Sequence, residues 1–152
     1  GLGDVYTRQP QESGGRSDPL LELPPVREAP IVGQLIDDKG VIMLVKKKLG
    51  YIRVFSHDSR VKCYQDTSGA YEPRIKFGEI IAVEPTSEFS TEDEVFLTLH
   101  DGSILIHQYI SEDDVFYRMD DINQKVSRVR IRKEDVASIE LISGHYIQRP
   151  KK

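Results

Sequence analysis

The sequence predicts an all-β protein, built as two small five-stranded barrels in tandem behind a proline-rich segment. Three observations carry that reading. From position 31 onward, short β-branched and aliphatic runs recur at spacings of roughly 8–12 residues, with turn-forming residues between them. Residues 74–85, RIKFGEIIAVEP, and residues 130–141, RIRKEDVASIEL, repeat one another, pairing Arg74 with Arg130, Ile75 with Ile131, Val83 with Ile139 and Glu84 with Glu140. No stretch holds a period of 3.6 beyond about two helical turns.

Residues 1–30 hold five of the eight prolines and four of the eleven glycines and show no apolar period, so they read as an extended linker. Within it, Leu20, Leu21 and Leu23 are expected to dock as a short extended segment. The first unit, 31–85, opens with a hairpin of 31–36 and 41–45 around Asp37-Asp38-Lys39-Gly40. Strands are expected at 51–55, 61–66, 74–77 and 79–85. The second unit, 93–143, continues with strands at 95–100 and 103–110 about an Asp101-Gly102 turn, then 115–120 and 126–131. A tight turn at 132–135 leads to a last strand over 137–141, and 144–152 is a tail. A two-residue Asp101-Gly102 loop would set Leu99 opposite Ile104. Val95, Leu97, Leu99, Ile104 and Ile106 would then share the core face, with His100 and His107 on the wet one.

Residues 95–141 carry Asp101-Gly102, Glu112-Asp113-Asp114, Tyr117 and the run Asp135-Val136-Ala137-Ser138-Ile139. In that order of hairpin, acidic turn, tyrosine-bearing strand and closing strand, the stretch resembles the SH3-like (Sm-like) domains of bacterial envelope lipoproteins. The resemblance covers about a third of the chain. It implies two SH3-like or Sm-like barrels if the duplication is real, and a periplasmic protein tethered in the bacterial cell envelope. Sm proteins that bind RNA share the outline. Here their Asn-bearing loop is replaced by Ser111-Glu112-Asp113-Asp114, which would repel phosphate.

Composition narrows the chemistry. The chain is 38% hydrophobic and 30% charged, a globular balance, and no apolar run approaches the roughly 20 residues of a membrane helix. Cys63 is the single cysteine, which excludes an internal disulfide and a thiolate zinc site, and mid-strand it is expected half-buried. Net charge is −4, distributed as nine basic against seven acidic residues in 31–85 and nine against thirteen in 86–152. His57-Asp58-Ser59 spells a catalytic triad, but neighbours on one turn cannot face one another as that chemistry requires. The clusters Glu92-Asp93-Glu94 and Glu112-Asp113-Asp114 lack the alternating spacing of a calcium loop. No phosphate loop, H-E-x-x-H or C-x-x-C motif occurs, so neither enzyme, metal nor cofactor is expected.

The expected function is a non-catalytic protein-binding or structural module. Tyr109 and Tyr117 flank the carboxylates of Glu112, Asp113 and Asp114, and rings beside charge are what a contact surface for a basic partner segment needs. The alternative is a nucleic-acid-binding module using a basic patch of Lys46, Lys47, Lys48, Arg53, Arg60 and Lys62.

Overall fold

The computed structural model describes residues 23–148. Most of the expected linker, with Leu20 and Leu21, and residues 149–152 of the tail lie outside the described residues. In chain order the strands are β1 (Val26–Asp38), β2 (Val41–Phe55), β3 (Lys62–Asp66), β4 (Ile80–Glu84), β5 (Glu94–Leu99), β6 (Ile104–Glu112), β7 (Phe116–Asp120), β8 (Val129–Arg132) and β9 (Val136–Tyr146). A 3-10 turn, Lys133–Asp135, is the one helical element among the described residues. The chain is therefore all-β. Its strands join in one open mixed sheet ordered β2-β1-β3-β4-β9-β5-β6-β7-β8.

The predicted hairpin forms and is longer than its pattern suggests. Asp37 accepts a hydrogen bond from the Gly40 N–H at 2.7 Å, closing the turn, and β1 then pairs with β2 from Asp38↔Val41 back to Val26↔Phe55. Strand structure thus begins at Val26, inside the span expected as linker. Residues 51–55 continue β2 instead of starting a new strand. They do so across a bulge where Ile31 faces Gly50 and Gly33 faces Lys46. β3 then crosses over to pair with β1 in parallel, and β4 returns antiparallel to β3.

The repeated segments diverge in their first halves. Arg130, Ile131 and Arg132 lie on β8, whereas residues 74–77 belong to a run of turns between β3 and β4. Local geometry explains the difference. Pro73 cannot donate to a ladder, and the N–H groups of Ile75, Gly78 and Glu79 donate to the carbonyls of Tyr71, Asp66 and Lys76. The first segment accordingly supplies four strands from six predicted runs, because 51–55 merges into β2 and 74–77 is held in turns. The second halves of the repeat become β4 and β9, and these pair with one another, Val83 opposite Ile142 and Glu84 opposite Leu141. Residues 144–146, expected as tail, extend β9 so that His145 faces Ile81 and Tyr146 faces Ile80.

Packing follows from that central ladder. β4 and β5 bury both faces, which is why IIAV and VFL read as unbroken apolar runs. Ile81, Val83, Phe96 and Ile142 join Leu35, Ile42, Tyr64, Ile75, Ile104 and Ile106 in a core drawn from both segments. The rings of Tyr64 and Phe96 stack in it, centroids 4.9 Å apart. Behind β4 lies a second cluster with Ala29, Ile31, Val54, Val61 and Cys63, which is fully buried, not half-buried as expected. Behind β5 a third gathers Val95, Leu97, Tyr109 and Met119.

The β5–β6 register differs from the predicted one by a single residue. Leu99 N–H donates to the Ser103 carbonyl and Gly102 N–H to the Leu99 carbonyl, both at 2.9 Å, so the loop has three residues, not two. Phe96 therefore faces Ile106, and Val95 faces His107. A one-residue slip exchanges the faces of a strand, which moves Ile104 and Ile106 into the shared core and away from Val95 and Leu97. Gly102 closes this loop at φ +90°, in the region that side chains rarely adopt. Gly102→Val should accordingly lower the unfolding free energy by about 1–3 kcal/mol in urea titrations; an unchanged midpoint would refute this loop conformation.

Candidate functional site

The predicted acidic surface is mostly occupied from within. Tyr109 is 7% exposed and packs in the cluster behind β5, its ring 5.5 Å from that of Phe89. Its hydroxyl donates to Glu112 Oε1 at 2.8 Å. Glu112 also pairs with Lys133, whose Nζ sits 5.1 Å from the Tyr117 ring centroid. Asp113 accepts from the N–H groups of Val115 and Phe116 at 2.8 Å and pairs with Arg118. Asp114 is exposed. The structure does bring Tyr109, Glu112 and Tyr117 together, as a turn that satisfies its own charges. Tyr109 is a core ring and not the exposed ring expected, because the one-residue change of register between β5 and β6 turns it inward beside Val95 and Leu97.

The six predicted basic residues do not form one patch. Arg60 grips Asp58 through Nε and Nη2, each 3.0 Å from a carboxylate oxygen, so its charge is spent locally. Arg53 stands exposed farther along β2. Lys46, Lys47, Lys48 and Lys62 converge around a groove of about 500 Å³ whose other walls are Val32, Leu44 and Tyr64. Lys62 reaches Glu140 Oε2 at 3.7 Å and lies 5.9 Å from the Tyr64 ring centroid.

Two features of the backbone build this groove. Residues 47–49 of β2 stand opposite Val32 alone, so the bulge carries Lys47 and Lys48 out of the ladder. Gly33 lets the floor close. A Cβ there would sit 2.8 Å from both Leu44 Cδ1 and the Val45 carbonyl oxygen, and 3.4 Å from Tyr64 Cδ1.

Sequence reasoning missed a buried ionic cluster between the segments. Glu94, expected in a solvated acidic run, is 6% exposed. Its Oε1 lies 2.7 Å from His145 Nε2 of β9, and its Oε2 pairs with the Arg74 Nε. Arg74 is placed by Asn123, which accepts from the Arg74 N–H at 2.9 Å and donates to the carbonyls of Tyr71 and Glu72. Burial pushes the Glu94 carboxyl up, but the hydrogen bonds from His145 and Arg74, with their charge, outweigh it and bring the group down to about 2. One signal could have exposed it: Glu94 precedes Phe96 by two, so alternation aims it at the same core. His107, expected on the wet face, has a buried Nδ1 with no partner, and burial lowers the pKa of its ring.

Among the described residues no group of three His, Cys, Asp or Glu side chains is placed to hold a metal ion, and no helix is long and apolar enough to cross a membrane. No protein-family model matches the chain, and no curated protein matches it.

Two outcomes follow from these contacts. Gly33→Ala should cost about 1–3 kcal/mol in urea titrations, because a backbone oxygen must move to admit the methyl; a stability equal to wild type would mean that the groove floor is not closed at Gly33. Glu94, depressed from 4.5 to about 2, stabilises the fold fully above pH 4.5 and loses that contribution, on the order of 3 kcal/mol, as pH falls toward 2. The stability gap between wild type and Glu94→Gln should therefore narrow across that window. A gap that stays constant would show that Glu94 is not held by this cluster.

Proposed function

We propose that the chain is a non-catalytic protein-binding module whose second segment is an SH3-like unit. The order β9-β5-β6-β7-β8, a meander closed by a strand that follows a 3-10 turn and returns to pair with β5, supports that unit. The first segment has the order β2-β1-β3-β4 with a parallel β1–β3 pair, so the tandem part of the reading rests on the sequence repeat alone. Tethering in the cell envelope rests on the resemblance of residues 95–141.

One observation carries the binding function. β2 is a sheet edge, bridged among the described residues only at Met43 to Ser103, that displays large apolar side chains: Val41 is 47% exposed, Val45 40% and Tyr51, beyond the bridge, 68%. An edge of this kind is a template for a partner's strand, supplying main-chain hydrogen bonds with alternate side chains for selectivity. Nucleic-acid binding, the second reading, draws on the convergence of Lys46, Lys47, Lys48 and Lys62. Two facts weigh against it: Arg60 and Lys62 each already face a carboxylate, and the chain carries a net −4.

A photo-crosslinking residue placed at Tyr51 tests the module in the source cell. A discrete protein adduct is expected there and not from the same residue at Val126, which is 64% exposed on a loop before β8. Identical patterns from both positions would reject the β2 edge as a binding surface.

A further inference from the structure

Three positive charges in succession stand at the β2 bulge. Among the described residues Lys46, Lys47 and Lys48 pair with no carboxylate, whereas Arg118, Arg128, Arg132 and Lys133 each do. Beside these lysines lie Val32 and Leu44, half-buried aliphatic side chains that continue the shared core to the surface. Tyr64 closes the floor at 5% exposure, its ring stacked on Phe96, so it offers no free face to a nucleobase. A cationic rim over an aliphatic floor complements one kind of ligand.

We infer that this groove seats an extended acidic segment of a partner protein, an aliphatic side chain resting on Val32 and Leu44 and carboxylates facing Lys46, Lys47 and Lys48. The assignment rests on the protein-binding reading and names the chemistry of the partner. Charge complementarity of this type governs encounter rate and register, while the floor discriminates an aliphatic residue from a polar one. A phosphate backbone would need cations along a longer track than this bulge provides. Lysines on an edge strand can also act only as guards against strand-to-strand aggregation, and the experiment must separate the two roles.

The probe is a fluorescein-labelled Glu-Leu-Glu-Leu-Glu peptide, titrated with the full chain and followed by anisotropy. Saturable binding is expected, with an affinity reduced at least about tenfold in the Lys46→Glu/Lys47→Glu/Lys48→Glu variant and weakened by added salt. Glu-Ser-Glu-Ser-Glu should bind more weakly, and Lys-Leu-Lys-Leu-Lys should not bind. Circular dichroism and thermal midpoint confirm that the variant remains folded, since exposed lysines contribute little to stability. Absence of saturation up to about 1 mM, or equal binding by the variant, would overturn the assignment. So would preference for an oligo-dT strand, which would favour nucleic acid, or self-association of the variant without peptide binding by wild type, which would make the lysines edge guards. The Tyr51 crosslink does not depend on these lysines: an adduct that persists without peptide binding removes the groove and leaves the module standing. Peptide binding without the adduct removes the β2 edge instead.

Discussion

The pairing of β9 with both β4 and β5 is the constraint on which the rest of the structure depends. β9 is eleven residues long, and its two ends serve different partners: positions 136–141 bond to β5 and positions 141–146 to β4. Without it the first segment would end at an exposed β4 edge and the second at an exposed β5 edge. Both strands are buried on both faces, so such edges would be aggregation templates. A single strand shared across the junction turns two sets of strands into one hydrophobic unit. This is why the largest core cluster draws residues from both segments.

The junction also explains a charged cluster in an apolar region. Glu94, His145 and Arg74 come from β5, β9 and the turns between β3 and β4, so the cluster forms only when the segments are joined. Desolvation penalises the buried Glu94 carboxylate, and leaving it without its partners would cost more than the pairing returns. Apolar burial holds the seam together with little regard to register; a carboxylate that must meet two donors accepts one alignment. Ser56 plays a related part at the far end of β4, its hydroxyl donating to Glu84 Oε2 at 2.7 Å while Phe55 N–H donates to the Tyr146 hydroxyl at 3.0 Å.

The class of the fold and most strands were legible because alternation and turn chemistry are local. What escaped was set by partners distant in sequence or by local hydrogen bonds. Residues 74–77 alternate like a strand, but Pro73 and the local carbonyls hold them in turns, with Ile75 as their contribution to the core. The Asp101-Gly102 pair announces a hairpin and not its loop length, which Ser103 settles by donating through N–H and Oγ to Asp101. His145 and Tyr146 look like tail until β4 is beside them. Of the candidate site residues, Lys46, Lys47, Lys48 and Lys62 could be gathered from composition and nearness in sequence. Their separation from Arg53 and Arg60 could not, because it is created by the bulge opposite Val32 and by the side chain of Asp58.

These pairings relocate the charge of the molecule. Exposed ion pairs such as Arg128–Asp120 and Arg132–Glu134 add little to stability. Their effect is on the field: each cancels two charges over a few ångströms, so the acidic half presents less potential than its composition implies. Glu112 and Asp113, which dominate the sequence as an acidic turn, are neutralised in this way. The lysines of the β2 bulge are not. Lys46, Lys47 and Lys48 therefore keep a local positive charge in a chain of net charge −4, beside aliphatic surface on an edge strand. Composition locates the excess negative charge in residues 86–152; the side-chain contacts leave residues 46–48 as a run of positive charge that no carboxylate among the described residues pairs.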